Sequence, residues 1–100
     1  MAQIIWTESA LQDLNDIAEY IAIENVVAAE QLVETVFAKV ERLELFPDSG
    51  RISPELPHLS YREVVVSPCR VFYKQDESQV FILFVMREEK DFRRFILSKQ

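Results

Sequence analysis

Two amphipathic helical stripes follow one another with almost no chain between them, which leaves this sequence few ways to fold. Apolar residues recur at Ala10, Leu14, Ile17, Ala18 and Ile21, then at Ala29, Leu32, Val33, Val36, Val40 and Leu43, with Phe37 beside them. Steps of three and four residues put each set on one helical face. Thr7 and Ser9 are candidate N-caps for the first helix, and Ser9 with Gln12 matches a capping box. Asn25 is the candidate cap of the second helix, and Pro47 stops it. Asp13, Asp16, Glu19 and Glu24 fall off the first stripe and are expected to face water. So short a connection makes an αα-hairpin, and its apolar faces need a sheet to cover.

The strands come from the flanks. Residues 3–6 are a short β-like run. Pro54 and Pro57 make residues 47–60 an irregular connection, and Gly50 within it is expected at a left-handed turn position. Residues 61–66 and 69–74 read as strands around Ser67-Pro68, and Asp76-Glu77-Ser78 as the next turn. Side-chain alternation puts Tyr61, Glu63, Val65, Arg70, Phe72 and Lys74 on one face of this hairpin, with Glu63 near Arg70. Arg62, Val64, Val66, Cys69, Val71 and Tyr73 share the other, which should meet the helices. Residues 80–86 are apolar on both faces: Val80, Ile82, Phe84 and Met86 against Phe81, Leu83 and Val85. The face away from the helices needs a cover, either the tail or another chain. Residues 88–100 read as a short helix or a final strand. The predicted class is α+β: an N-terminal strand, then an antiparallel helical hairpin on one face of a small antiparallel sheet, then a tail.

One hundred residues make one domain, spanning 1–100, and 49% of them are hydrophobic, so apolar residues are left over for a partner surface. The single cysteine, Cys69, forbids an internal disulfide and fits a reducing cytoplasm. The N-terminus has no basic segment of a signal peptide, and the longest apolar run is too short to span a bilayer. The expectation is a soluble cytoplasmic protein with no membrane partner. The net charge of -6 hides a split. Residues 1–50 hold ten acids and two bases, net -8; residues 51–100 hold nine bases and seven acids, net +2. An acidic half repels nucleic acid, and the usual basic footprint of a nucleic-acid enzyme is missing.

Chemistry-bearing residues are few. No metal cluster, glycine-rich phosphate loop or Ser/His/Asp set is present, and no cofactor is expected. His58, the only histidine, sits in a proline-rich loop and reads as solvated. Cys69 on an apolar strand face reads as a small hydrophobe. Arg62, Arg70 and Arg87 are the candidates for a basic site, against pairing with Glu63 and neighbouring acids. Arg93 and Arg94 extend the basic surface.

Several short runs, in order, carry a resemblance: Trp6-Thr7 with Ala10 and Asp13-Leu14, Tyr20-Ile21, Ala28-Ala29, Phe46-Pro47 with Gly50-Arg51, Tyr61-Arg62-Glu63, and Arg70-Val71 with Tyr73. Together they resemble the ParE branch of the ParE/RelE superfamily of type II toxins, over nearly the whole chain. The resemblance implies a small RelE-like α+β fold and a cognate ParD-like antitoxin that binds DNA, so that DNA is met only through the antitoxin. The antitoxin's C-terminal segment would fold over the toxin's apolar surface. Characterised ParE toxins inhibit DNA gyrase, so gyrase is the implied target, and a plasmid-stabilisation role goes with it. RelE ribonucleases, the alternative, hold mRNA phosphate with basic residues on this sheet and use a titratable residue near the C-terminus. Here Phe92 stands near that position, and a phenyl ring cannot exchange a proton. No catalytic residue is therefore assigned. Arg62, Arg70, Phe72, Arg87, Phe92, Arg93 and Arg94 are the candidate partner-binding residues.

Overall fold

The computed structural model describes residues 1–90 together with Arg94, Leu97 and Ser98. Strand β1 (Gln3–Trp6) leads into helix α1 (Glu8–Ala22) and helix α2 (Val26–Glu41), which tightens into a 3₁₀ turn (Arg42–Glu44). Strands β2 (Arg51–Ile52), β3 (Arg62–Val66), β4 (Cys69–Asp76) and β5 (Gln79–Arg87) follow. The sheet order is β1-β5-β4-β3-β2, with the hairpin on one face.

The hairpin forms where its caps predict. Asn25 accepts the Ala28 amide, and the helix gives way to the 3₁₀ turn short of Pro47. For α1 the cap is Thr7, which accepts the Ala10 amide at 3.2 Å. Ser9 lies inside the helix, so the capping-box expectation is corrected. Thr7 wins because its hydroxyl also donates to the Ile82 carbonyl at 2.7 Å and so joins helix start to sheet.

The sheet is mixed and not wholly antiparallel as expected, because β1 runs parallel to β5, with Ile4 opposite Val80 and Trp6 opposite Ile82. A strand apolar on both faces belongs inside a sheet, and β5 gains neighbours on both sides this way. The connection expected to be irregular contains β2, which pairs with β3 through Arg51–Glu63 and Ile52–Arg62.

The β3–β4 hairpin sorts its side chains as alternation requires. Val66, Cys69, Val71 and Tyr73 join Leu14, Leu32, Val36, Val40 and Leu43 in the main core. Strand β5 departs from strict alternation. Its register with β4 steps from Phe72–Phe84 to Tyr73–Ile82, leaving Leu83 as an extra residue. This bulge reverses the parity beyond it. Val80, Ile82 and Val85 point to the helices, while Phe84 and Met86 belong to a second cluster on the outer face with Phe72. Leu56 and Tyr61, from the connection before β3, pack on that cluster. Part of the outer cover therefore comes from a segment that neither expected source included. Of the tail, Arg94, Leu97 and Ser98 are helical; the remaining tail positions, Phe92 and Arg93 among them, lie outside the described residues.

Gly50 has no positive φ, so the expected left-handed turn is corrected. Its amide donates to the buried Tyr73 hydroxyl at 2.9 Å, and that hydroxyl donates to the Pro47 carbonyl at 2.7 Å. A side chain at residue 50 would occupy the space the tyrosine uses, and this close approach is what calls for glycine there.

Candidate functional site

Where α1 passes the second half of β5, β1 has already ended, and a cleft of about 820 Å³ opens. Ile17, Val85 and Met86 supply apolar walls, and Asp13, Asp16, Arg87, Glu89, Lys90 and Arg94 supply charge. At its base the Asp13 carboxylate accepts the Val85 amide at 3.1 Å. Asp13 is buried, against the expectation that it faces water. Its position three residues after Ala10 and one before Leu14 was the available signal. The strand amide left without a β1 partner supplies the reason, because a buried N–H demands an acceptor.

Arg87 forms one rim. Its guanidinium pairs with Glu89 at 2.9 Å and lies 5.4 Å over the Tyr20 ring. Arg94 also lines the cleft and is exposed. Of the expected partner-binding residues, Arg87 and Arg94 both line this cleft, where Asp13, Asp16 and Glu89 balance them and Lys90.

The other candidates lie elsewhere. Arg62 donates to the backbone carbonyls of Gly50, at 2.8 Å, and Asp48, at 3.3 Å, and so holds the loop before β2. Phe72 is fully buried on the outer face. Arg70 is also buried, stacked over the Phe72 ring at 4.9 Å. Its guanidinium grips Glu55 in a fork, at 2.7 and 2.6 Å, and Glu63 at 2.7 Å. Glu63, itself buried, also bonds Arg51. The pairing of Arg70 with Glu63 expected from strand parity is present. Glu55, which no spacing pattern marked, completes it. These contacts, the Glu55 hydrogen bonds foremost, hold the Arg70 proton more tightly than usual despite burial.

Two other titratable groups sit in the core. Burial pushes the Cys69 thiol up to about 11, outweighing the nearby Arg87. Burial also raises the Tyr73 hydroxyl, against its hydrogen bond from Gly50. Both stay protonated near neutral pH. Among the described residues no group of three or more His, Cys, Asp or Glu side chains could hold a metal, and no helix is long and apolar enough to cross a membrane.

Residues 4–92 match the family model of the ParE toxin of the type II toxin-antitoxin system parDE. The chain belongs to the ParE toxin family. One similar protein is the Caulobacter vibrioides toxin RelE2, 34% identical over 68 residues, which cover 68% of this chain and 73% of that one. A solved structure of the chromosomal ParDE toxin-antitoxin system from P. aeruginosa superposes with a TM-score of 0.74 at 23% identity, covering 89% of this chain and 98% of that chain. The expected α+β fold is the ParE fold. The sequence runs that suggested it now have physical roles in this ParE-family chain. Thr7, Ala10, Asp13 and Leu14 join α1 to β5, and Trp6 packs against Phe37 with ring centroids 4.8 Å apart.

Proposed function

We propose that this ParE-family toxin acts without catalysis, by binding and inhibiting DNA gyrase, and that a cognate antitoxin neutralises it by filling the cleft between α1 and β5. The state of Arg70 carries the non-catalytic reading. A ribonuclease would need guanidiniums free for phosphate on this sheet, and here Arg70 is held by Glu55 and Glu63 while Arg87, at the end of β5, pairs with Glu89. The protonated Cys69 and Tyr73 lend no base either. Family membership supports the gyrase target and the antitoxin.

The binding set divides accordingly. Arg87 and Arg94 are the accessible members, with Phe92 and Arg93 alongside them in sequence. Arg62 serves the β2 loop, and Arg70 and Phe72 lie under their own cover. An antitoxin segment suited to the cleft carries an apolar stripe for Ile17 with acids opposite Arg87 and Arg94.

The test is a supercoiling assay with purified toxin, gyrase and a cognate ParD-like antitoxin. Inhibition that the antitoxin relieves is expected, with relief weakened at least tenfold in Arg87→Glu. Full supercoiling at a large molar excess of toxin defeats the gyrase assignment. The likeness to a protein named RelE2 keeps a second reading in view, an mRNA endoribonuclease. Primer extension after induction decides it. Specific cleavage that disappears in Arg87→Ala would establish the ribonuclease.

A further inference from the structure

The segment before β3 is built as a closed strap over the outer face. The Ser53 amide donates to the Tyr61 carbonyl at 3.3 Å and closes its base, and the Leu59 amide donates to the Leu56 carbonyl at 3.1 Å within it. Two adjacent side chains attach it to the sheet. Glu55 fills the Arg70 fork, and Leu56 packs on Phe72 and Met86. The tip of the strap faces outward. Pro57, His58, Leu59 and Ser60 are exposed, and the buried Ser53 hydroxyl has no hydrogen-bond partner among the described residues. Such a hydroxyl favours leaving the closed position.

We propose that the strap is a displaceable internal ligand, and that residues 55 and 56 stand in for a partner protein's segment carrying an acidic residue followed by leucine. The two attachments form a composite recognition site, a guanidinium fork beside an apolar patch. The fork selects a carboxylate in a fixed orientation. The patch beside it selects an aliphatic side chain. Glu63 remains between Arg70 and Arg51 after the strap leaves, and the two guanidiniums with one carboxylate leave a single positive charge, enough for one carboxylate and poorly suited to a polyanion. Unlike the cleft between α1 and β5, this site is revealed only when a competitor takes the strap's place.

The inference rests on this face alone, and its test involves neither gyrase nor antitoxin. The probe is a capped peptide of residues 53–60. It should bind the full chain carrying Glu55→Ala and Leu56→Ala at least tenfold more tightly than wild type, by isothermal titration. Adding Arg70→Lys to that chain, or Glu55→Gln in the peptide, should remove the gain. Equal binding to both chains, no binding to either, or tighter binding of an eight-nucleotide RNA than of the peptide would overturn the proposal. Hydrogen exchange of the wild-type chain tests it without any substitution. Strap amides should exchange at least a hundredfold faster than those of Val71 and Phe72. Exchange at the same rate would mean that the strap opens only when the domain unfolds, and the proposal would fall.

Discussion

Around Gly50 the chain has room for a hydrogen and little more. A Cβ there would stand 2.5 Å from the Tyr73 hydroxyl oxygen and 2.8 Å from the Glu63 carbonyl oxygen. The second neighbour is backbone and cannot swing aside. Gly50→Ala should therefore destabilise by about 1–3 kcal/mol, the usual cost of overpacking, read as a lower urea midpoint at unchanged slope. Asp13 makes the opposite case, a side chain whose loss leaves something unsatisfied. Asp13→Ala strands the Val85 amide and should cost about 1–3 kcal/mol. Asp13→Asn retains an acceptor oxygen and should cost less, which chemical denaturation of the pair will show.

At the scale of elements, each helix start hangs on one cap, but the two caps do unequal work. Asn25 accepts one amide at an exposed position. Thr7 accepts the Ala10 amide and donates to the Ile82 carbonyl, so it serves both the helix and the sheet. Removing a cap costs about 1 kcal/mol. Asn25→Ala should lose roughly that amount, and Thr7→Ala should lose roughly 1 kcal/mol more for the second bond. Equal losses in thermal unfolding would mean that the Thr7 link to β5 contributes nothing. The bulge at Leu83 acts at this scale too. It turns Val85 toward the helices and Met86 to the outer face, supplying one wall residue to the core and another to the outer cluster.

Across the whole molecule, pH acts through groups that the core keeps neutral. The Cys69 thiol is pushed from 9.0 up to about 11 by burial, and the Tyr73 hydroxyl is raised as well. In the unfolded chain the thiol loses its proton near its ordinary value, while the folded chain holds it. Between pH 9 and about 11 the unfolded state thus binds fewer protons, and stability must fall as pH rises. The contribution is fully present below pH 9. Urea midpoints measured across this window should decline, and Cys69→Ala should flatten the decline while lowering stability at pH 7 through the lost packing. An identical slope in the variant would assign the alkaline loss to other groups.

The helical hairpin, its Asn25 cap, the strands flanking Ser67-Pro68, the β3–β4 face pattern and the Glu63–Arg70 proximity follow from the amino-acid sequence by itself. They depend on periodicity and on residues close in the chain, where three-and-four spacing, alternation and proline leave one solution. What the tertiary structure decided are contacts between distant segments. The parallel pairing of β1 with β5 joins residues 76 positions apart. Asp13 is buried because the strand amide it serves lies 72 positions away and has no β1 partner, which no local pattern records. Glu55 sits in a proline-rich stretch that reads as a plain surface connection. Its role appears only once Arg70 from β4 is brought against it and both are withdrawn from water. Local spacing selects which faces are apolar. Satisfying the polar groups that burial strips of water requires partners from anywhere in the chain, and only the folded arrangement names them.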